Sequence, residues 1–261
     1  MSMKASNPVT KKGPMQDNRM SDKNYPVLKN TQSFLNLLKI YHRHEVYGMN
    51  NIPKSGAGIL ITNHSLATYD GFMLGLAIYE KTGRLVKGLG DRLLFKLPVI
   101  REYVSKIGLY NASMSTAHEI LEQGEILALA PGGMREALRP SQKKYQIEWQ
   151  DRTGFARLSL ETQTPIILAA CPKADEIFNV YKSPLTQIVY DKFKIPLPIF
   201  RGIGPSLIPR PVHLVHHIGE IIRPPLKENY SPEEFEKVIK NYHQRIVISM
   251  KKLMKKSLKY A

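Results

Sequence analysis

Residues 58–81 read GILITNHSLATYDGFMLGLAIYEK, and this stretch decides the fold. Its first five residues form an apolar run after a turn-rich segment, which predicts a buried strand at 58–62. Asp70 suits the first turn of a helix, and the apolar residues after it predict a helix at 71–81. A buried strand, a loop and a helix in this order form the repeating unit of a parallel sheet covered by helices.

The same alternation of strands and helices runs through most of the chain. Before the quoted stretch, the sequence predicts an amphipathic helix at 32–42 and a short strand that contains Val46 and Tyr47. A last helix is predicted to begin at Ser231, which precedes a proline and two glutamates. We therefore expect an α/β fold with a mixed, mainly parallel sheet flanked by helices. The other predicted elements are strands at 84–88, 104–109, 125–130, 165–170 and 212–222, and helices at 92–97, 113–122 and 152–162.

The composition is that of one folded domain with a tail. The chain has 261 residues, of which 43% are hydrophobic and 23% are charged, close to an average globular protein. Residues 1–30 are polar and basic without an apolar stretch, which predicts a flexible basic tail and no signal peptide. We expect residues 31–261 to form a single domain that ends in an amphipathic basic helix.

Positive charge is in excess, with 38 Lys and Arg against 22 Asp and Glu and a formal net charge of +16. Such a charge favours a negatively charged partner, which could be nucleic acid, an anionic bilayer or a phosphorylated cofactor. The sequence has no helix-turn-helix, zinc-ligand or aromatic RNA-binding signature, so we expect no nucleic-acid partner.

Any membrane contact is expected to be peripheral, because no run reaches the roughly 18 apolar residues that a spanning helix requires. The helix at 32–42 could pack on the domain or dock on a bilayer. The end of the last helix also leaves two interpretations open, a solvated face or a membrane-surface role. Its lysines are Lys251, Lys252, Lys255, Lys256 and Lys259.

Cys171 is the only cysteine of the chain. No intrachain disulfide can form, so a cytosolic compartment is favoured. The apolar run at 166–170 predicts a buried strand, and a thiol beside such a strand is usually an inert small hydrophobic group.

His64 and Asp70 flank the loop between the predicted strand and helix. On one continuous helix, residues six apart would lie about 120° from each other and could not meet. A strand, loop and helix remove this obstacle, and let the Asp70 carboxylate accept a hydrogen bond from Nδ1–H of His64 while Nε2 faces outward. That orientation suits a general base. Structural hydrogen bonding is the alternative interpretation for an isolated pair of this kind.

A second motif, residues 129–138, follows the strand predicted at 125–130 and reads LAPGGMREAL. Gly132 and Gly133 would let the backbone approach a ligand closely. Arg135 offers a fork of donors that suits phosphate or carboxylate. A tight turn with Arg135 paired to Glu136 or another acid is the structural alternative.

Taken together, these segments resemble the glycerolipid acyltransferase superfamily. Its pattern has four landmarks: Val-x-Gly-x-Glu-Asn-Ile-Pro, an Asn-His-x-x-x-x-Asp motif, Phe-Pro-Glu-Gly-x-x-Arg, and a Val-Pro-Ile strand. All four have counterparts here in the same order, and the resemblance covers roughly residues 32–225. The counterparts are residues 46–53, Asn63-His64 with Asp70, Pro131 to Arg135, and Thr164 to Ile167.

Two departures point to one branch of that superfamily. Five residues instead of four separate His64 from Asp70, and Gly132 stands where the family has an acidic residue. Both changes resemble the branch related to diacylglycerol acyltransferases. The family's Gly-x-x-Phe-Ile-x-Arg motif is reduced to residues 108–112 without its arginine, so a phosphorylated acceptor is not favoured. Gly132 is also expected to open space beside the turn for a bulkier acceptor.

The resemblance implies direct transfer of a fatty acyl group from acyl-CoA or an acyl carrier protein to a lipid hydroxyl, without a metal, a cofactor or a covalent intermediate. His64 would be the general base and Asp70 its partner. Oxyanion donors are expected in the turn at Gly132 and Gly133 or at the helix after Asp70. Candidate substrate-binding residues are Asn63, Gly132, Gly133, Arg135 and Glu136.

Several alternatives stay open at this point. A neutral acceptor such as a mono- or diacylglycerol or a long-chain alcohol is favoured over lysophosphatidate. Hydrolysis of the thioester or of a lipid ester is a rival activity, although the sequence has no Gly-x-Ser-x-Gly elbow. Anionic-membrane binding without catalysis is the rival from another class. The expected location is cytoplasmic and peripheral to a membrane.

Overall fold

A computed structural model of the chain describes residues 25–90, 95, 108–182, 198–226 and 228–260, with side chains from residue 30 onward. The helices are α1 (Tyr25–Tyr41), α2 (Tyr69–Thr82), α3 (Met114–Glu122), α4 (Gly133–Ala137), α5 (Gly154–Thr162) and α6 (Pro232–Tyr260). The strands are β1 (Glu45–Tyr47), β2 (Gly58–Thr62), β3 (Val86–Gly90), β4 (Leu109–Asn111), β5 (Ile126–Leu129), β6 (Ile166–Ala170), β7 (Asn179–Tyr181), β8 (Ile199–Arg201) and β9 (Val215–Ile218).

Seven strands form one sheet in the order β1-β9-β6-β2-β5-β3-β4. The five strands from β6 to β4 run parallel to one another. Strand β9 is antiparallel to β6, and β1 runs parallel to β9. The prediction of a mixed, mainly parallel sheet is therefore confirmed. Strands β7 and β8 form a separate antiparallel pair.

Both faces of the sheet are buried, as expected for parallel strands covered by helices. In β2, Ile59 and Ile61 pack in one cluster with residues of α3, α5 and α6, whereas Leu60 packs in another with residues of α2. This division follows from the alternation of side chains along a strand. Helix α1 lies against α2. The carboxyl ends of β6, β2 and β5 are adjacent at one edge, the place where ligands bind in open α/β sheets.

Helix α6 is amphipathic, as the sequence predicts. Met250 and Met254 are buried in the main core, whereas the five terminal lysines are exposed. The core already buries most of the apolar face of α6, and the exposed end of this helix is mainly charged, with Ile248 and Tyr260 as exposed apolar side chains.

The predicted element positions agree with the structure to within a few residues, with clear exceptions. Helix α1 begins at Tyr25, inside the predicted tail 1–30, and residues 1–24 lie outside the described residues. The predicted strand 212–222 is wrong in length, because β9 covers four residues only. The sequence did not predict β7 and β8. The predicted helix 92–97, apart from residue 95, and most of the predicted strand 104–109 lie outside the described residues.

Candidate active site

His64 is the second residue after β2, at the carboxyl edge of the sheet. Its Nδ1 lies 3.0 Å from the carbonyl oxygen of Ser65. A carbonyl can only accept, so Nδ1 carries the hydrogen and Nε2 is the basic nitrogen. Burial lowers the pKa of His64, the Ser65 carbonyl raises it, and the charge of Arg139 lowers it further. The imidazole is therefore neutral and able to accept a proton near pH 7.

The predicted hydrogen bond between His64 and Asp70 is not the one that the structure shows. Nδ1 of His64 bonds the Ser65 carbonyl, and the Asp70 carboxylate accepts from the Ser65 hydroxyl at 3.2 Å. The reason is the longer loop, in which Thr68 adopts a φ of 60° before α2 begins. Such a backbone is rare for a β-branched residue. Ser65 thus links the two side chains, and the histidine still has the predicted tautomer.

Asp70 is buried at the first turn of α2, beside a histidine that the sequence analysis missed. The Asp70 Oδ2 lies 3.8 Å from Nε2 of His216, and Nδ1 of His216 lies 2.9 Å from Nε2 of His44. Burial raises the pKa of Asp70 to about 6, although the Ser65 hydroxyl opposes the shift. Burial lowers the pKa of His216 well below its ordinary value. Only folding brings these residues together, since β9 is far from α2 along the chain.

Three buried side chains near Asp70 could in principle hold a metal ion. Asp70, Cys171 and His216 each offer one ligand atom, and these atoms lie within 4.8 Å of one another. Burial raises the pKa of the Cys171 thiol well above its ordinary value, and a thiol must lose its proton to bind a metal. The contacts described favour a protonated, inert Cys171. The expectation that the protein needs no metal or cofactor stays a prediction.

Asn63 joins the ends of β2 and β6. Its amide nitrogen donates to the Cys171 carbonyl at 3.1 Å, and its amide oxygen accepts from the Cys171 N–H at 2.8 Å. The side chain is 4% exposed. The substrate-binding role predicted for Asn63 stays a prediction, and these two bonds favour a structural role.

The turn after β5 is held by an arginine that the sequence analysis did not single out. Arg152 donates to the carbonyl oxygens of Pro131 and Gly132, each at 2.7 Å. Gly133 has a φ of 51°, which favours glycine, and its N–H donates to the Ala130 carbonyl. That N–H is therefore occupied within the protein, and the oxyanion role predicted for this turn stays a prediction. At the start of α2, the Gly71 N–H is also occupied, by the Thr68 carbonyl.

Glu136 is a buried acid, with a side chain that is fully shielded from solvent. Its Oε2 accepts from the His64 N–H at 3.1 Å, and its Oε1 accepts from the Glu148 N–H at 3.3 Å. Arg139 lies 3.4 Å from Oε1. Burial raises the pKa of Glu136 to about 7, against the opposing charge of Arg139.

Gly132 does not open space for an acceptor, which corrects the expectation from the sequence. A Cβ at this position would lie 2.1 Å from Oε2 of Glu136. The carboxylate of Glu136 therefore fills the volume beside Gly132.

Arg135 lies on the surface, where its Nη1 donates to the Gln150 side chain at 3.0 Å. It is exposed. The predicted pairing with Glu136 does not form, because Glu136 pairs with Arg139 inside the protein. The predicted role of Arg135 in binding an anion stays a prediction.

An apolar cavity of about 250 Å³ opens beside His64. Helix α2 forms one wall, strands β3 to β5 form the opposite wall, and Leu35 of α1 covers part of it. His64, Asp70 and Asn63 line its carboxyl-edge end, whereas Tyr79 and Val86 line the other. From Asp70 to Tyr79, nine helical residues span roughly 14 Å. The cavity thus leads from the candidate base along an apolar path that suits a hydrocarbon chain.

The predicted site residues divide into two groups. His64, Asp70 and Asn63 line the cavity, whereas the structure places Gly132, Gly133, Arg135 and Glu136 outside its lining. Glu136 nonetheless touches His64 through a backbone hydrogen bond.

Comparison with known proteins identifies the class. A family model described as Acyltransferase matches residues 43–171, which run from just before β1 to just after β6 and contain the site. This match, the four sequence landmarks and the named relatives below all indicate similarity to the glycerolipid acyltransferase superfamily.

The relatives are of two kinds by name. The chain is 30% identical over 210 residues to the human "DGAT1/2-independent enzyme synthesizing storage lipids". The aligned residues cover 80% of this chain and 62% of that protein. It is also 30% identical to an uncharacterized protein of Mycobacterium tuberculosis, over 66% of this chain and 50% of that protein. The chain thus spans about half to three fifths of the length of these relatives.

A solved structure shares the fold. The crystal structure of the 1-acyl-sn-glycerophosphate (LPA) acyltransferase PlsC from Thermotoga maritima aligns with a TM-score of 0.50 at 18% identity, over 90% of this chain and 84% of that one. At this identity the likeness concerns the fold alone.

Proposed function

We propose that the protein transfers a fatty acyl group from a thioester donor to a lipid hydroxyl at a membrane surface, with His64 as the general base. One observation carries the proposal. A neutral histidine, with its tautomer fixed by the Ser65 carbonyl, stands at the end of an apolar cavity. A base beside a hydrocarbon-sized cavity is the arrangement that acyl transfer to an alcohol needs.

The transfer proceeds in one displacement through a tetrahedral intermediate. Nε2 of His64 accepts the proton of the acceptor hydroxyl while that oxygen bonds to the thioester carbonyl carbon. The carbonyl electron pair moves to its oxygen, then returns as the carbon–sulfur bond breaks. The departing thiolate takes the proton back from His64, so the products are an ester and a free thiol. General-base assistance of this kind typically contributes 10²–10⁴-fold to the rate.

Asp70 supports the base through Ser65 in this mechanism. The Asp70 carboxylate accepts a hydrogen bond from the Ser65 hydroxyl, and the backbone carbonyl of Ser65 accepts one from Nδ1–H of His64. The imidazolium that forms during transfer is stabilised by that carbonyl and by the nearby negative charge. The N–H groups of Gly133 and Gly71 are occupied by backbone carbonyls, so the oxyanion donor in this mechanism is a group other than these two.

The cavity is the proposed site of the acyl chain. Its walls are mostly apolar, so a chain that leaves water there gains about 0.8 kcal/mol for each buried methylene. The thioester carbonyl would then lie at the His64 end, and the carrier, coenzyme A or an acyl carrier protein, would lie outside.

A neutral acceptor is the proposed preference. Two of the relatives are named for storage-lipid synthesis, and Ser113 caps α3 where phosphate-binding relatives are expected to have an arginine nearby. The alternative is lysophosphatidate, the acceptor named for the structural neighbour.

The proposed membrane-binding surface is formed by α1 and the loop after β8. Phe34, Leu37 and Ile40 of α1 are 59%, 62% and 75% exposed, and Leu207 and Ile208 of the loop are 65% and 59% exposed. The Tyr41 hydroxyl donates to the Pro209 carbonyl, which ties the two parts together. Such a patch suits the interfacial region of a bilayer, and α1 also covers the cavity. Among the described residues, no helix is long and apolar enough to span a bilayer.

The test is an acyl-transfer assay with purified protein, labelled acyl-CoA and vesicles that contain one acceptor each: monoacylglycerol, diacylglycerol, a long-chain alcohol or lysophosphatidate. We expect a labelled ester of a neutral acceptor, and ester formation that is about 10²- to 10⁴-fold slower with His64→Ala. Labelled free fatty acid without ester would indicate a hydrolase instead. Vesicle binding without either product would indicate a membrane-binding protein. Preferential acylation of lysophosphatidate would overturn the neutral-acceptor preference alone.

A further inference from the structure

The loop that carries His64 is fastened to the turn after β5 by a single side chain. The His64 N–H donates to Oε2 of Glu136 at 3.1 Å, across 72 residues of sequence. Glu136 belongs to α4, which is only five residues long. Glu136 and Ala137 are its buried residues. The Glu136 carboxylate therefore couples the position of the His64 loop to the position of this turn.

Every described partner of the Glu136 carboxylate is a hydrogen-bond donor. The backbone N–H groups of His64 and Glu148 and the guanidinium of Arg139 all face its two oxygens. A carboxylate can accept from all three, whereas a glutamine would have to turn an NH₂ group toward one of them. A buried donor left without an acceptor costs about 1–3 kcal/mol. The site thus selects glutamate over its isosteric amide.

The same carboxylate explains why residue 132 is glycine. A Cβ at Gly132 would lie 2.1 Å from Oε2, 2.4 Å from Cβ and 2.5 Å from Cδ of Glu136. The φ of Gly132 is −61°, which any residue adopts, so its backbone does not require glycine. The requirement comes from the neighbouring side chain alone.

Arg139 holds the other side of the carboxylate. Its guanidinium also binds Asp175 at 2.6 Å and the Gln146 carbonyl at 2.7 Å, and Asp175 accepts from the Tyr145 N–H. Through these contacts Glu136 is anchored to residues 145–148 and to the segment after β6. The carboxylate is consequently a rigid support and not a side chain that could leave to meet a ligand.

We propose that Glu136 is a positioning residue for His64, and that Gly132 is glycine because the carboxylate that does the positioning occupies the space beside it. The inference rests on the proposed role of His64 as the base. It replaces the substrate-binding role that the sequence suggests for both residues. The carboxylate fixes the peptide of His64, so the imidazole keeps its place at the cavity when the acyl chain binds.

Hydrogen exchange tests the contact without any substrate. In the full-length protein we expect peptides that cover residues 62–66 to exchange about tenfold faster or more in Glu136→Gln than in the wild type, because a hydrogen bond to a charged group is lost. Peptides from β2 itself serve as the internal control for global unfolding. Unchanged exchange at 62–66 would overturn the proposal.

Kinetics then separate positioning from substrate binding. We expect Glu136→Gln to lower kcat about 10- to 100-fold, with the KM values for donor and acceptor within about twofold of the wild type. A raised KM with an unchanged kcat would assign Glu136 to substrate binding and overturn the proposal. If His64→Ala keeps wild-type activity, the proposed function fails, whereas the exchange result still decides whether Glu136 holds the loop.

A double-mutant cycle tests the steric half of the proposal. Gly132→Ala alone is expected to lower kcat to a similar extent as Glu136→Gln, because its methyl group displaces the carboxylate. In a Glu136→Gly background, which also removes the Cβ that would lie 2.4 Å from the added methyl carbon, adding Gly132→Ala should change kcat by about twofold at most. Gly154→Ala is the control, since a Cβ there meets nothing within 4 Å. Additive losses from Gly132→Ala and Glu136→Gly would overturn the link between the two residues.

Discussion

Replacing Gly75 by larger residues should shorten the acyl chains that the protein accepts. Gly75 lies on α2 and lines the cavity, beyond Asp70 and one turn past Gly71. A Cβ there would meet the Val86 Cβ at 3.8 Å, an ordinary contact across the space between α2 and β3. A Cβ is therefore accommodated without a clash, and a larger side chain would occupy the part of the cavity farther from His64.

The size of the effect follows from the methylenes that are displaced. Each methylene that no longer leaves water on binding reduces the binding free energy by about 0.8 kcal/mol, which lowers kcat/KM about fourfold. Gly75→Ala displaces about one methylene, and Gly75→Leu about four, so the losses for the longest chains are about fourfold and about 200-fold. Chains too short to reach Gly75 should keep their kcat/KM. Both substitutions also remove a helical glycine, which costs about 1 kcal/mol relative to alanine, so folding should not suffer.

The assay is kcat/KM for a series of acyl-CoA donors of increasing length with one fixed acceptor. We expect the optimum to move to shorter chains in the order wild type, Gly75→Ala, Gly75→Leu. Gly71→Leu should lower activity for all lengths, because Gly71 lies next to the reactive end. Gly154→Leu, on the exposed start of α5, is the matched control and should leave the profile unchanged. An equal loss for all chain lengths in Gly75→Leu would refute the acyl assignment of the cavity.

Three further predictions concern the base, the membrane and pH. His64→Ala should lower kcat about 10²- to 10⁴-fold, and wild-type turnover in this variant would contradict the general-base role. Asp70→Asn should lower kcat less, because Asp70 acts through Ser65. Leu37→Glu should weaken binding to anionic vesicles about tenfold or more by co-sedimentation, and unchanged binding would leave the exposed lysines of α6 as the contact. Removal of 250–261 is a poor substitute for that test, because this segment supplies buried core residues. Burial raises the pKa of Glu136 from 4.5 to about 7, so its contribution to the free energy of unfolding is fully present below pH 4.5 and lost as pH rises through 7. The denaturant midpoint of the wild type should therefore fall as pH rises through this range, relative to that of Glu136→Gln. An equal dependence on pH in the two proteins would contradict the raised pKa of Glu136.

The sheet and the location of the base could be read from the sequence because both depend on local patterns. Each of these patterns determines local structure within a few residues of the chain. They are the apolar run 58–62, the helix start at Asp70 and the glycines after β5. The alternation of such units predicts parallel strands, and the carboxyl edge of a parallel sheet is where ligands bind.

The contacts inside the site could not be predicted, because they join segments that are distant in sequence. His216 meets Asp70 only through the pairing of β9, and Glu136 reaches His64 across two loops. The sequence placed a hydrogen bond between His64 and Asp70, whereas the loop geometry at Thr68 places Ser65 between them. Gly132 was interpreted as open space although Glu136 is only one helical turn away, because the distant partners of the Glu136 carboxylate, which hold it beside Gly132, could not be predicted.

The position of β9 in the sheet also sets the order in which the protein can mature. Among the described strands, β1 pairs only with β9, which follows it by about 170 residues. Contacts of such long range close late in folding, since loop closure must precede them. During synthesis, α1 and the His64 loop leave the ribosome well before His216 does, and domains fold as their last segments arrive. A nascent chain therefore holds its histidine base early, but it completes the buried surroundings of Asp70 only after β9 has been made.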